Sequence, residues 1–293
     1  MKLEQLGSKT VSVVNPEDPV DRAIGHMWHL NIRHLPVVRE SVPVGMVSER
    51  DVLFHVCWLD HVESALAGDR DKPAEGASRI DHIMTTPAIV LAPDDPIEKA
   101  ARLMLNKKIS AIPLATHNSI VGIVTETDFL RCYNDNACLV PSQKCRQSSI
   151  ADHLSANVFL VRPTDVTLNV VRLMREKQIR HIPVLEDDKL LGIISDRDVF
   201  RGSRREEGEH AASASELRVS HEDEVRRIMS TDLETLELDA TLADAAKKMV
   251  FHKIGALPVL DQEKLVGIIT ETDLLRALVT DCEVGLESTN ERR

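Results

Sequence analysis

A mixed α/β (α+β) fold built from four β-α-β-β-α units is predicted for this chain of 293 residues by three observations. A seven-residue phrase recurs as GMVSERD (45–51), GIVTETD (122–128), GIISDRD (192–198) and GIITETD (267–273). A proline stands nine residues before the glycine of each phrase (Pro36, Pro113, Pro183, Pro258), and the closing aspartate stands fifteen residues after that proline (Asp51, Asp128, Asp198, Asp273). An apolar stripe at i, i+3, i+4, i+7 ends on a methionine nine residues before each proline. Four copies in fixed register mark internal repeats, and these decide the fold before any single residue does.

Each unit opens on a short apolar segment, such as VSVV (11–14), IVL (89–91) or VFLV (158–161), which reads as a strand. Pro16, Pro93 and Pro163 suit the turn from that strand into a helix; the fourth copy has Leu238 there and offers Asp239 and Thr241 as turn and cap residues. The stripes Val20/Ala23/Ile24/Met27, Ile97/Ala100/Ala101/Met104, Thr167/Val170/Val171/Met174 and Leu242/Ala245/Ala246/Met249 are the buried faces of amphipathic helices, with methionine as core filler. Beyond the prolines, PVV…VGMVS, PLA…IVGIVT, PVL…LLGIIS and PVL…LVGIIT read as β-hairpins with buried strands, and a second helix begins inside the recurring phrase.

The copies fall into two kinds. Copies one and three share IRH(L/I)PV and S-[ED]-R-D; copies two and four share KI-x-A-[IL]-P, TETD and a following Leu-Arg (Leu130-Arg131, Leu275-Arg276). The larger repeat is therefore a pair, present twice. A unit of about 60 residues buries too little surface to stand comfortably alone, a physical reason to pair. The repeats are expected over 1–68, 79–133, 150–203 and 217–282, with polar links at 69–78 and 204–216 inside the two pairs, a linker between the pairs at 134–149 and a tail at 283–293.

Composition narrows the function classes. With five Phe, two Trp and one Tyr, a platform built on aromatic stacking is disfavoured. A formal charge of −11 disfavours nonspecific binding to nucleic acid, which relies on Lys and Arg displacing counterions. No apolar run approaches the length of a membrane span and the N-terminus lacks the apolar core of a signal peptide, so a cytoplasmic protein without membrane insertion is expected. Five cysteines without CxxC spacing suggest neither a disulfide framework nor a zinc site, and Cys138, Cys145 and His153 read as reduced thiols and a histidine near a loop rather than as metal ligands. No P-loop, GxSxG or HExxH motif appears and little chain remains outside the repeats, so an enzyme is not expected.

Together, the strand–helix order, the proline at the hairpin start and G-h-h-[ST]-x-x-D in all four copies resemble the cystathionine-β-synthase (CBS) domain family over nearly the whole chain. The resemblance implies two Bateman modules of paired repeats with approximate two-fold symmetry, similar in architecture to the nucleotide-sensing γ subunit of AMP-activated protein kinase. It further implies clefts between paired repeats that take AMP, ADP, ATP or S-adenosylmethionine as a regulatory ligand, with no cofactor required, and an unidentified effector protein as partner. Two modules in one chain could close on each other or dimerise further.

The ligand-binding residues implied are Ser48, Asp51, Thr125, Asp128, Ser195, Asp198, Thr270 and Asp273. Each pair is also a capping box, which local physics explains without a ligand. The two roles are compatible if the cap orients the hydroxyl while the carboxylate faces a ribose diol, beside helix-end N–H groups suited to an anion. Arg33, His34, Arg180 and His181 precede the hairpin prolines of copies one and three, where the resemblance implies phosphate contacts. The other copies carry Ser110-Ala111 and Gly255-Ala256 there, so the sites are expected to differ. A ligand-free interaction scaffold and an ion-responsive subunit of a transporter or metabolic enzyme are the alternatives.

Overall fold

The computed structural model describes residues 1–55, 78–135, 141–202 and 223–290, with side chains described to residue 281. Repeat 1 runs through α1 (Val20–His29), β1 (His34–Arg39), β2 (Val42–Ser48) and a helix α2 over 49–55. Repeat 2 has α3 (Ile97–Lys107), β3 (Ala111–Thr116), β4 (Ser119–Thr125) and α4 (Glu126–Asn134). A short α5 (Gln143–Arg146) precedes repeat 3, which has α6 (Thr167–Lys177), β5 (His181–Glu186), β6 (Lys189–Ser195) and α7 (Asp196–Gly202). Repeat 4 has β7 (Leu236–Glu237), α8 (Leu242–His252), β8 (Ala256–Asp261), β9 (Lys264–Thr270) and α9 (Glu271–Asn290).

The opening apolar segments pair in parallel with the first hairpin strand, but only repeat 4 forms a two-residue strand there; repeats 1 to 3 make single bridges, Val14 to Val37, Leu91 to Leu114 and Val161 to Val184. The residue two places on explains the difference. It is Pro16, Pro93 or Pro163 in those repeats and has no N–H, whereas Leu238 donates to the carbonyl of Leu260 at 3.0 Å. The prolines are instead bracketed by Asp18, Asp95 and Asp165, whose carboxylates accept from the N–H groups of Asn15, Ala92 and Arg162 at 2.7, 2.9 and 2.8 Å. Thr241 caps α8 in a box with Asp244, as its sequence position suggests.

Every residue of the four helical stripes is buried. At about 1.5–3 kcal/mol per large apolar side chain withdrawn from water, these stripes are a main source of stability. They feed two separate cores. One compact unit (Ser12–Ala88 with Phe159–Leu233) holds the helices of repeats 1 and 3; the other (Met1–Val11, Ile89–Val158 and Glu234–Arg293) holds those of repeats 2 and 4. Within the second, α4 packs on α8 and α3 on α9, so the second helix of each repeat lies against the first helix of the other.

The segment that enters each repeat completes its neighbour in the chain. Short 3-10 helices at Leu3–Gln5, Ile80–His82, Ile150–Asp152 and Val225–Arg227 each insert one fully buried residue, Leu3, Ile80, Ile150 or Val225. The residues just before them cap the first helices, since the carbonyls of Met1, Ser78, Ser148 and Asp223 accept from the N–H groups of Ile97, Val20, Leu242 and Thr167. Residues Ser8, Thr85, Ser155 and Ser230 then bridge in antiparallel fashion to Ile123, Met46, Ile268 and Ile193 of the neighbouring hairpin. The glycine of the recurring phrase makes room for them: a Cβ on Gly122, Gly45, Gly267 or Gly192 would come within 3.0 Å of the carbonyl oxygen of Ser8, Thr85, Ser155 or Ser230.

All four hairpins close through two-residue turns with both residues at positive φ, at Glu40-Ser41, His117-Asn118, Asp187-Asp188 and Gln262-Glu263. Such turns favour glycine at the second position, which here is occupied by Ser, Asn, Asp or Glu. Glu263→Gly is expected to raise the unfolding free energy by up to about 1 kcal/mol, read from the denaturant midpoint. An unchanged or lower midpoint would mean the turn carries no relievable strain.

Candidate functional site

The hairpin of each repeat delivers its last residue, Ser48, Thr125, Ser195 or Thr270, to the start of the following helix. The aspartate three residues on folds back to it in every copy. One oxygen, Oδ2 of Asp51, Asp128, Asp198 and Asp273, accepts the backbone N–H at 2.8, 2.8, 2.8 and 2.9 Å and the hydroxyl at 2.6, 2.9, 2.6 and 2.7 Å. The capping box is thus fully formed, and the hydroxyl proton is committed to the carboxylate rather than held out to solvent.

The other oxygen separates the repeats. Oδ1 of Asp128 accepts from Arg131 Nη1 at 3.0 Å, and Oδ1 of Asp273 from Arg276 Nη1 at 2.7 Å. In repeat 3, Oδ1 of Asp198 accepts from Ser230 Oγ at 3.1 Å, a hydroxyl carried in by the entry segment. Oδ1 of Asp51 makes no hydrogen bond to a described residue. Burial pushes the carboxyl groups of Asp51 and Asp128 above the ordinary aspartate value, and the bonds from Ser48 and Thr125 pull each part of the way back.

Strand register brings the histidines to the same place. His34 pairs with Ser48 and His181 with Ser195, where repeats 2 and 4 pair Ala111 with Thr125 and Ala256 with Thr270. The carbonyls of Arg33 and Arg180 accept from the N–H groups of Glu49 and Asp196 at 3.0 Å each, so both basic pairs stand at the helix start in half-buried positions.

The two central residues of each phrase face the other repeat of the same unit. Thr127 Oγ1 donates to Glu271 Oε1 at 2.6 Å and Thr272 Oγ1 to Glu126 Oε1 at 2.8 Å, a reciprocal pair around carboxylates only 2% and 4% exposed. In repeats 1 and 3 the equivalents are acidic and basic. Glu49 lies 3.8 Å from Arg197 Nε, while Arg50 donates to the carbonyls of Met174 and Ile179 at 3.3 and 3.4 Å and is drawn electrostatically to Asp196. Arg197 Nη2 and Arg201 Nη2 both donate to Asn31 Oδ1. Thr127→Val, which keeps the shape but removes the donor to a buried carboxylate, is expected to lower stability by about 1–3 kcal/mol in thermal or urea unfolding; a neutral result would remove Thr127 from the packing of repeats 2 and 4.

Among the described residues no group of three or more His, Cys, Asp or Glu side chains could hold a metal ion, and no helix is long and apolar enough to cross a membrane. Cys145 is buried and its thiol is pushed up to about 11, chiefly by that burial; Cys138 lies outside the described residues.

The CBS domain model matches residues 3–57, 80–135, 150–205 and 225–280, and the chain belongs to the CBS domain family. It is 25% identical over 288 residues to the uncharacterised protein MJ1225 of Methanocaldococcus jannaschii, covering 94% of this chain and 97% of that one. The crystal structure of MJ1225, described as a candidate archaeal homologue of γ-AMPK, matches with a TM-score of 0.77 at 23% identity, over 94% of this chain and 99% of that one. An uncharacterised conserved protein from Pyrococcus horikoshii matches with a TM-score of 0.62 at 20% identity, over 95% and 100%. The CBS domain-containing protein YhcV of Bacillus subtilis is 29% identical over 143 residues, 49% of this chain and 94% of its own length.

Proposed function

We propose that this protein is a regulatory sensor that binds adenosine-containing ligands (AMP, ADP, ATP or S-adenosylmethionine) at the aspartates of its CBS repeats and passes occupancy to an effector protein. The observation that carries the reading is the half-buried carboxylate of Asp51, fixed by Ser48 through one oxygen while the other makes no bond to a described residue. A vicinal diol supplies two O–H donors to such an oxygen, and Arg33 and His34 stand on the same hairpin end for phosphate groups. Arg180 and His181 hold the matching position beside Asp198. Similarity over 94% of this chain to a protein described as a candidate γ-AMPK homologue supports the same reading.

A ligand that prefers one arrangement of the repeats shifts the population toward it by its difference in affinity, and a partner reading that arrangement receives the signal. The function is regulatory rather than catalytic, and the ligand is sensed rather than consumed. Thermal unfolding with AMP, ADP, ATP and S-adenosylmethionine tests it: a binding ligand at a hundredfold excess over its Kd should stabilise by about 2.7 kcal/mol. No shift with any of the four would leave the repeats as a ligand-free scaffold; a shift only with divalent cations, reversed by chelator, would favour the ion-responsive reading.

A further inference from the structure

The geometry points to Arg131 and Arg276 as internal occupants of the diol-binding carboxylates of repeats 2 and 4, so that a ligand's diol is received at Asp51 and Asp198. This rests on the nucleotide reading above and says which repeats serve it. A carboxylate offers about four acceptor positions, two on each oxygen. Oδ2 is filled by the cap in all four repeats. What remains for a ligand is Oδ1.

In repeats 2 and 4 that oxygen already accepts a charge-assisted bond, from Arg131 at 3.0 Å or Arg276 at 2.7 Å. Bonds of that kind are about twice as strong as neutral ones. The arginine side chains are 61% and 60% exposed while the carboxylates they meet are only 8% and 6% exposed, so each guanidinium lies over its carboxylate from the solvent side. Repeats 1 and 3 lack this cover. The residue three places beyond Asp51 is Phe54, and Arg201, three places beyond Asp198, is turned to Asn31 Oδ1. Among the described residues, Oδ1 of Asp198 accepts a hydrogen bond only from the neutral hydroxyl of Ser230, a weaker competitor that a diol can displace. The same two repeats carry the Arg-His pairs, so diol acceptor and phosphate donors coincide where the arginine cover is missing.

Isothermal titration of the full chain with AMP, and with 2′,3′-dideoxy-AMP as the diol-free probe, tests this. Wild type should bind two AMP per chain, with the dideoxy analogue weaker by about tenfold or more. Asp51→Asn should remove one site. The double variant Arg131→Met, Arg276→Met keeps the aliphatic stems but uncovers Asp128 and Asp273, and should raise the number bound toward four. Those added sites should disappear when Asp128→Asn and Asp273→Asn are built into the same background. An arginine double variant that binds the same number as wild type overturns the inference and leaves the nucleotide reading standing. A folded wild type that binds none of AMP, ADP, ATP or S-adenosylmethionine overturns both.

Discussion

Gly192→Val is expected to lower the stability of the unit holding repeats 1 and 3 by about 3 kcal/mol, near the upper end of overpacking costs. Any side chain at this position begins with a Cβ only 2.9 Å from the carbonyl oxygen of Ser230 and 2.9 Å from Met229 Sδ. The methionine can turn aside. The backbone cannot without loss, because Ser230 and Ile193 exchange two hydrogen bonds of 2.9 and 3.0 Å across this contact. Pushing the entry segment away would also withdraw Val225 from the core and Ser230 Oγ from Asp198. Amide hydrogen exchange should therefore show residues 225–230 losing protection before the helices of repeats 1 and 3 do. Equal stability with unchanged protection would show that the segment is not held by this strand, and that the glycine of the recurring phrase has another reason to be there.

Much of this arrangement was legible in sequence because it repeats. The methionine-ended stripes, the proline-led hairpins and the Ser/Thr-Asp boxes each follow from a local rule, and a pattern seen in four registers is hard to misread. The exchange of entry segments was not legible. Leu3, Ile80, Ile150 and Val225 are each followed by an apolar residue three or four places on (Leu6, Ile83, Leu154, Ile228), but a spacing that spans a single turn does not say that the first residue is to be buried in a neighbouring repeat. The roles of the central dipeptides were visible only as a difference: TETD against S-[ED]-R-D marked two kinds of repeat, but the contact of Thr127 with Glu271 joins residues 144 apart. The signal for Arg131 and Arg276 was likewise present as a Leu-Arg shared by repeats 2 and 4. Reading it as cover for the aspartate three places earlier required knowing that the cap uses only Oδ2.

Glu49 should make the protein less stable as the solution turns from acid to neutral. The residue is 7% exposed, and burial is the largest influence on its carboxyl, which is pushed from 4.5 up to about 7. Arg197, Arg33 and Arg201 draw it back down, while Asp196 opposes them. Arg197 does so across 3.8 Å without the hydrogen bond that Thr127 and Thr272 give the equivalent glutamates of the other unit. A carboxyl whose folded pKa lies above its unfolded one holds a proton in the native state that unfolding releases. Stability is therefore fully present below about 4.5, falls as pH rises toward about 7, and is level above it. The gap between 4.5 and about 7 corresponds to about 3 kcal/mol. Glu49→Gln keeps the shape without the charge, so urea unfolding should find variant and wild type alike near pH 4 and the variant more stable by about 3 kcal/mol at pH 8. Parallel pH profiles for the two proteins would show that Arg197 and its neighbours already neutralise Glu49 in full. The expected divergence would show instead that the pairing of repeats 1 and 3 carries a carboxylate poised to change charge near neutral pH, two residues from Asp51 at the helix start.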